Sequence, residues 1–108
     1  MGFDKKRYDE TVLSTIDLEV ENATSEVMDI TGYFNVSILL RLVAGVFGAG
    51  ILTVEVSNDK IVWISSGVTI TTETSESKIT TSMRFVRLRV STVAVAEGTV
   101  NGKIMAKP

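Results

Sequence analysis

Hydrophobic and polar residues alternate with a period of two through most of this chain, and no useful stretch carries the spacing of an amphipathic helix. Alternation starts at Thr11 and assigns Val12, Ile16, Leu18 and Val20 to one face and Asp17 and Glu19 to the other, with Ser14 as the weak position on the apolar side. A turn cluster over 21–25 leads to a short strand over 26–31 that stops at Gly32. The strongest strand covers 33–43. Phe34, Val36, Ile38, Leu40 and Leu42 form one face, and Asn35, Ser37, Leu39, Arg41 and Val43 the other. Leu39 and Val43 make that second face half apolar, which suits a strand covered on both sides or lying in an interface.

Beyond the Gly-rich connection at 45–50, residues 51–57 return to alternation, with Leu52, Val54 and Val56 inward. Ser57-Asn58-Asp59-Lys60 carries turn chemistry, because Asn and Asp bond their own backbone and tolerate left-handed conformations. Residues 61–65 then return the chain and place Trp63. Short Thr-rich strands at 68–72 and 78–81 flank an exposed polar tip at 73–77. Residues 82–93 form the second strong strand, with Val86, Leu88 and Val90 inward and Phe85, Arg87, Arg89 and Ser91 outward. After a turn at 94–98, residues 99–106 close the domain, with Gly102 expected at a bulge or a close backbone approach. About eight short strands with turn signals between them predict a single antiparallel β-sandwich of jelly-roll type over 11–108, preceded by a polar arm at 1–10.

Composition agrees with an all-β chain. Val, Ile and Thr number 15, 9 and 13, so 37 of 108 residues are β-branched. There is no Cys and no His, which removes disulfides, thiolate nucleophiles, imidazole bases and the usual zinc ligands. A chain of this size without such staples gains most from oligomerisation when more apolar surface must be buried. Net charge is only −2, but six acids and no base fall within 10–29, while six bases and one acid fall within 78–108. That polarity suits strands from one end lying beside strands from the other, or beside a neighbouring subunit.

Candidate chemistry is sparse. Glu73 and Glu76 lie in a polar Ser/Thr-rich segment where water keeps both ionised. Asn58 and Asp59 fall well short of the six to eight oxygens that calcium takes. The 45–50 segment lacks the Lys-Ser/Thr and the helix of a phosphate loop. No catalytic residue, metal ligand or cofactor is therefore expected. Residues 36–54 reach membrane-spanning length, but Arg41 and three clustered glycines favour two joined strands. Residues 1–10 contain no apolar signal segment. The two Asn-x-Ser/Thr matches, at Asn22 and Asn35, are read as chance. Arg84, Arg87 and Arg89 beside Phe85 resemble a single-strand stacking platform, although too few aromatics accompany them and pairing with Glu explains them better.

Three segments, in order, resemble the small β-sandwich modules of tailed-phage virion proteins. They are the Gly-Tyr-Phe-Asn-Val-Ser-Ile run at 32–38; Val-Glu-Val-Ser-Asn-Asp-Lys at 54–60 followed by Trp63; and Arg-Phe-Val-Arg-Leu-Arg-Val at 84–90 with Gly98-Thr99-Val100 and a closing strand. Lys60 stands where that family usually has Gly. The resemblance implies a non-enzymatic virion component, made in the host cytoplasm, that associates with itself, a trimer being favoured. It also implies contact with other virion proteins such as the major capsid protein, while the small net charge and the glycine-interrupted apolar run argue against nucleic acid and membrane as partners. Capsid decoration or cementing is the expected role. The runner-up is a carbohydrate- or cell-surface-binding module of a tail or fibre, built around Trp63. The interaction candidates are Phe3 and Tyr8 in the arm, Val46 and Phe47 at an apolar loop tip, Leu39 on the half-apolar face, and Trp63, Arg87 and Arg89.

Overall fold

The computed structural model describes residues 9–95 and 97–108. Among these there are eight strands: β1 (Asp9–Asp17), β2 (Met28–Asp29), β3 (Asn35–Gly45), β4 (Ile51–Ser57), β5 (Ile64–Ile70), β6 (Thr74–Thr80), β7 (Phe85–Thr92) and β8 (Gly98–Lys107). They form two four-stranded sheets, ordered β1-β8-β3-β6 and β2-β7-β4-β5. First pairs with eighth, second with seventh, third with sixth and fourth with fifth, all antiparallel. The chain is thus one long hairpin rolled on itself, closed by the β3–β8 and β4–β7 pairings. This is a jelly roll, as the strand pattern predicts.

Alternation explains the core. Val36, Ile38 and Leu40 of β3, Leu52, Val54 and Val56 of β4, Val86, Leu88 and Val90 of β7, and Val100, Ile104 and Ala106 of β8 all point between the sheets and are buried. Each large aliphatic side chain so buried contributes about 1.5–3 kcal/mol, so the four central strands carry most of the hydrophobic stabilisation. The expected close approach at Gly102 is present. A Cβ there would collide with the carbonyl oxygen of Leu39 on the adjacent strand, so only glycine lets β8 and β3 run together.

Local departures from the predicted pattern have physical causes. The pairing of β1 with β8 shifts register between Leu13 and Ile16, which reverses the alternation there. Leu13 therefore points inward beside Ile16, and Val12, expected inside, is 71% exposed. Val20 and Phe34 also lie outside, because each sits in a connection beyond its strand. The strand expected over 26–31 shrinks to two residues, although the chain before it still bonds along β7, from Asn22 N–H to Val90 C=O (3.1 Å) and from Ser25 N–H to Leu88 C=O (2.9 Å). The expected strands at 61–65 and 68–72 are replaced by one, β5, which begins after Trp63. The predicted polar tip at 73–77 is mostly the edge strand β6, where Glu76 and Lys78 are exposed on a sheet margin. Residues 36–54, long enough for a membrane span, divide between β3 and β4 in opposite sheets.

The topology sorts the connections between two ends of the sandwich. The β1–β2, β3–β4, β5–β6 and β7–β8 connections lie at one end, called here the upper end. The β2–β3, β4–β5 and β6–β7 connections, the start of β1 and the end of β8 lie at the lower end.

Candidate functional site

Trp63, Arg87 and Arg89, distant in sequence, converge on the outer face of the second sheet. Arg87 and Arg89 alternate outward from β7, and Glu55 alternates outward from β4 directly opposite Arg87. The Arg87 Nε–H donates to Glu55 Oε1 at 2.9 Å, and the Arg89 Nε–H to Oε2 at 2.7 Å. One nearly buried carboxylate therefore holds two half-buried guanidinium groups. Arg89 also donates from Nη1 to the Asn22 side-chain oxygen at 2.8 Å, tying the β1–β2 connection to the sheet. The Arg87 guanidinium carbon lies 4.1 Å from the centroid of the Trp63 ring, a cation–π contact on one ring face. A sugar stacking on Trp63 would have to use the other face.

Trp63 owes its position to the β4–β5 turn. The Ser57 Oγ accepts the N–H groups of Asp59 and Lys60 (3.2 and 2.9 Å), and Lys60 takes the left-handed conformation at φ 65°. The Asp59 Oδ1 accepts the N–H groups of Ile61 and Val62 (2.8 and 3.0 Å), and the Trp63 ring N–H reaches Lys60 C=O at 3.3 Å. Those Val62 and Ile61 N–H bonds are the main reason the Asp59 carboxyl titrates below its ordinary value. Asp29 is lowered as well, chiefly by the Thr31 hydroxyl. The carboxylate of Asp59 is thus used up by its own turn, and the turn projects Ile61 into solvent at 81% exposure. Nearby, Lys60 and Arg84 flank the Phe85 ring at 5.0 and 5.2 Å.

Leu39 lies on the outer face of the first sheet, half-buried, opposite Lys103 of β8, and Lys103 in turn stands opposite Val12 of β1. Lys103 reaches Glu10 at 3.6 Å, so β1 from the acidic stretch does run beside β8 from the basic one. This face is mixed, with aliphatic side chains between long charged ones.

Val46 and Phe47 part company. Phe47, expected to project from its loop toward a partner, is 5% exposed and packs in the domain's own core. It fills the upper end of the sandwich beside Leu18 and Ala94, which the adjoining connections turn inward. Val46 stays outside at 50% exposure. Three connections are fastened together around these residues: Leu18 N–H to Gly98 C=O, Ala94 N–H to Leu18 C=O and Val46 N–H to Glu97 C=O, each 2.9 Å. Sequence reasoning missed the consequence. Val20, Val46, Val93 and Val95 emerge together on this bonded platform, with Val95 86% exposed. The alternation signal was available in Leu18-Glu19-Val20 and Ala94-Val95, but their proximity depends on the fold.

Phe3 and Tyr8, the two candidates in the arm, lie outside the described residues. Among the described residues no group of three or more acidic side chains is placed to hold a metal ion. A hollow of about 220 Å3 beside Val36, Ser37, Lys78 and Thr80 opens between β3 and β6, and one of about 160 Å3 lies at the lower end beside Val56, Val62, Ile64 and Met83. No family model, curated protein or solved structure matches this chain.

Proposed function

We propose that this chain is a non-catalytic structural protein of a tailed-phage virion, a capsid decoration or cement protein that acts through protein–protein contacts. The observation that carries the reading is the upper end of the sandwich, where four valines stand exposed on loops locked together by backbone hydrogen bonds. Exposed aliphatic side chains on a rigid platform lose little entropy on docking, and their burial drives association. A monomer working alone gains nothing from such a surface. Jelly rolls occur in viral shell proteins and in lectins, so the fold is compatible with this role by analogy only. Engagement of Arg87 and Arg89 by Glu55 favours a structural use of that face over recognition of nucleic acid.

In this reading many copies each bury a modest apolar surface against their neighbours in the particle, and avidity comes from their number. Quantitative mass spectrometry of purified virions from the source of this sequence tests it. The chain is expected in fixed stoichiometry to the main shell protein, and loss of the valines, as Val46→Asp with Val95→Asp, is expected to abolish incorporation while the isolated protein stays folded. Absence of the chain from the particles, or saturable glycan binding that Trp63→Ala removes, overturns the assignment.

A further inference from the structure

The upper end is acidic as well as apolar. Its connections and the adjoining strand ends carry Asp17, Glu19, Glu21, Glu73 and Glu97, and residues 17–23, 45–50, 71–74 and 92–97 contain no Lys or Arg. Among the described residues, Glu19, Glu21 and Glu97 enter no ion pair. Carboxylates thus share this end with the exposed Val20, Val46 and Val95, and protein interfaces likewise combine apolar centres with charged rims. The ligand that fits is a peptide segment with both aromatic or aliphatic side chains and positive charge.

The chain itself carries such a segment. Residues 1–8 read Met-Gly-Phe-Asp-Lys-Lys-Arg-Tyr, with Phe3 and Tyr8 as apolar anchors and Lys5, Lys6 and Arg7 against Asp4. The run leads into β1 at Asp9, which pairs with Ala106 near the end of β8, at the lower end of the sandwich. The acidic end begins at Asp17, eight residues further along β1, or about 26 Å at the strand rise. Phe3 precedes Asp9 by six residues and reaches at most about 21 Å from it, even if the chain were to double straight back. The backbone of Phe3 and of the basic residues that follow it therefore falls short of the acidic end of its own molecule.

We infer that residues 1–8 of one copy dock on the acidic, valine-lined upper end of a second copy. The contact is heterologous, lower end to upper end, so repetition gives rings or open chains of copies rather than a two-fold dimer. It names one of the partners that the protein–protein reading above requires. Its measurement uses the isolated protein, so failure here leaves incorporation into particles to be judged separately.

Two full-length variants test the inference by sedimentation velocity and light scattering. The first, with Phe3→Ser, Lys5→Glu, Lys6→Glu and Arg7→Glu, keeps the platform and loses the docking segment. The second, with Val20→Asp and Val95→Asp, keeps the segment and loses the platform; both valines are exposed, and circular dichroism checks that the fold is kept. The wild type is expected to show concentration-dependent association that weakens at least about tenfold when salt is raised from low to high. Each variant alone is expected to be monomeric, and an equimolar mixture is expected to form a one-to-one dimer, because each supplies the half that the other lacks. A wild type that stays monomeric, a variant that still self-associates like the wild type, or a mixture that stays monomeric overturns the proposal.

Discussion

Glu55 and Arg87 face each other across β4 and β7, joined by an Nε–H to Oε1 hydrogen bond of 2.9 Å, while the second oxygen of the same carboxylate takes Arg89 at 2.7 Å. The carboxylate is nearly buried beneath the two arginines, whose side chains remain partly exposed. The outer face of the second sheet is thus organised around one acidic group.

Removing that group leaves two guanidinium groups without their shared acceptor, each still able to reach water. Glu55→Ala is expected to lower stability by about 1–3 kcal/mol, the range for hydrogen bonds to charged partners. Glu55→Gln, which keeps one acceptor oxygen, is expected to cost less. Urea unfolding checks both: the midpoint should fall in that order with an unchanged denaturant slope.

Glu26 holds the free edge of β1. Ser14 donates both its backbone N–H (3.0 Å) and its hydroxyl to this carboxylate at the point where the β1 register shifts. The Ser14 hydroxyl is the main cause of a Glu26 pKa below the ordinary carboxylate value, with slight desolvation opposing it. A carboxyl with a lowered folded pKa binds fewer protons folded than unfolded. Its contribution is therefore complete above the unfolded pKa and is lost as pH falls through the folded one. Because Glu26 is mostly exposed, the amount is expected to stay below about 1 kcal/mol. Comparison of the unfolding midpoints of Glu26→Gln and wild type should show a gap at neutral pH that closes in acid. A gap constant with pH contradicts the assignment.

Phe47 and Val46 are neighbours with opposite duties. Phe47→Ala removes a core ring and is expected to cost about 3–5 kcal/mol, a loss that thermal unfolding detects directly. Val46→Ala is expected to leave stability within about 0.5 kcal/mol and to weaken association instead. Equal losses of stability at the two positions would contradict the placement of Val46 outside the core.

Several features were readable from residue order alone. Strict alternation in 36–42 and 85–91 marks two central strands and their inward faces, since a half-buried strand demands period two. Where alternation lapses, around Ser14, residue order alone points Val12 inward, because a register shift leaves no residue signature of its own. Arg87 and Arg89 were recognisable as an outward pair, whereas Glu55 was not, because its role follows from which strands lie side by side.

The residue sequence by itself determined the all-β class, a count of about eight strands and the lack of imidazole and thiol chemistry, because these depend on side-chain identity and local periodicity. The tertiary structure alone decided that Phe47 closes the core and that one carboxylate serves two arginines. It also decided that valines from three separate connections share one acidic end. Each of these joins residues far apart in the chain, and such pairs meet only when strands β1 and β8, β3 and β8, and β4 and β7 have paired. Local propensity does not encode that register. It is set by the burial of both sheets against each other, where a slip of one residue would turn every core side chain into water.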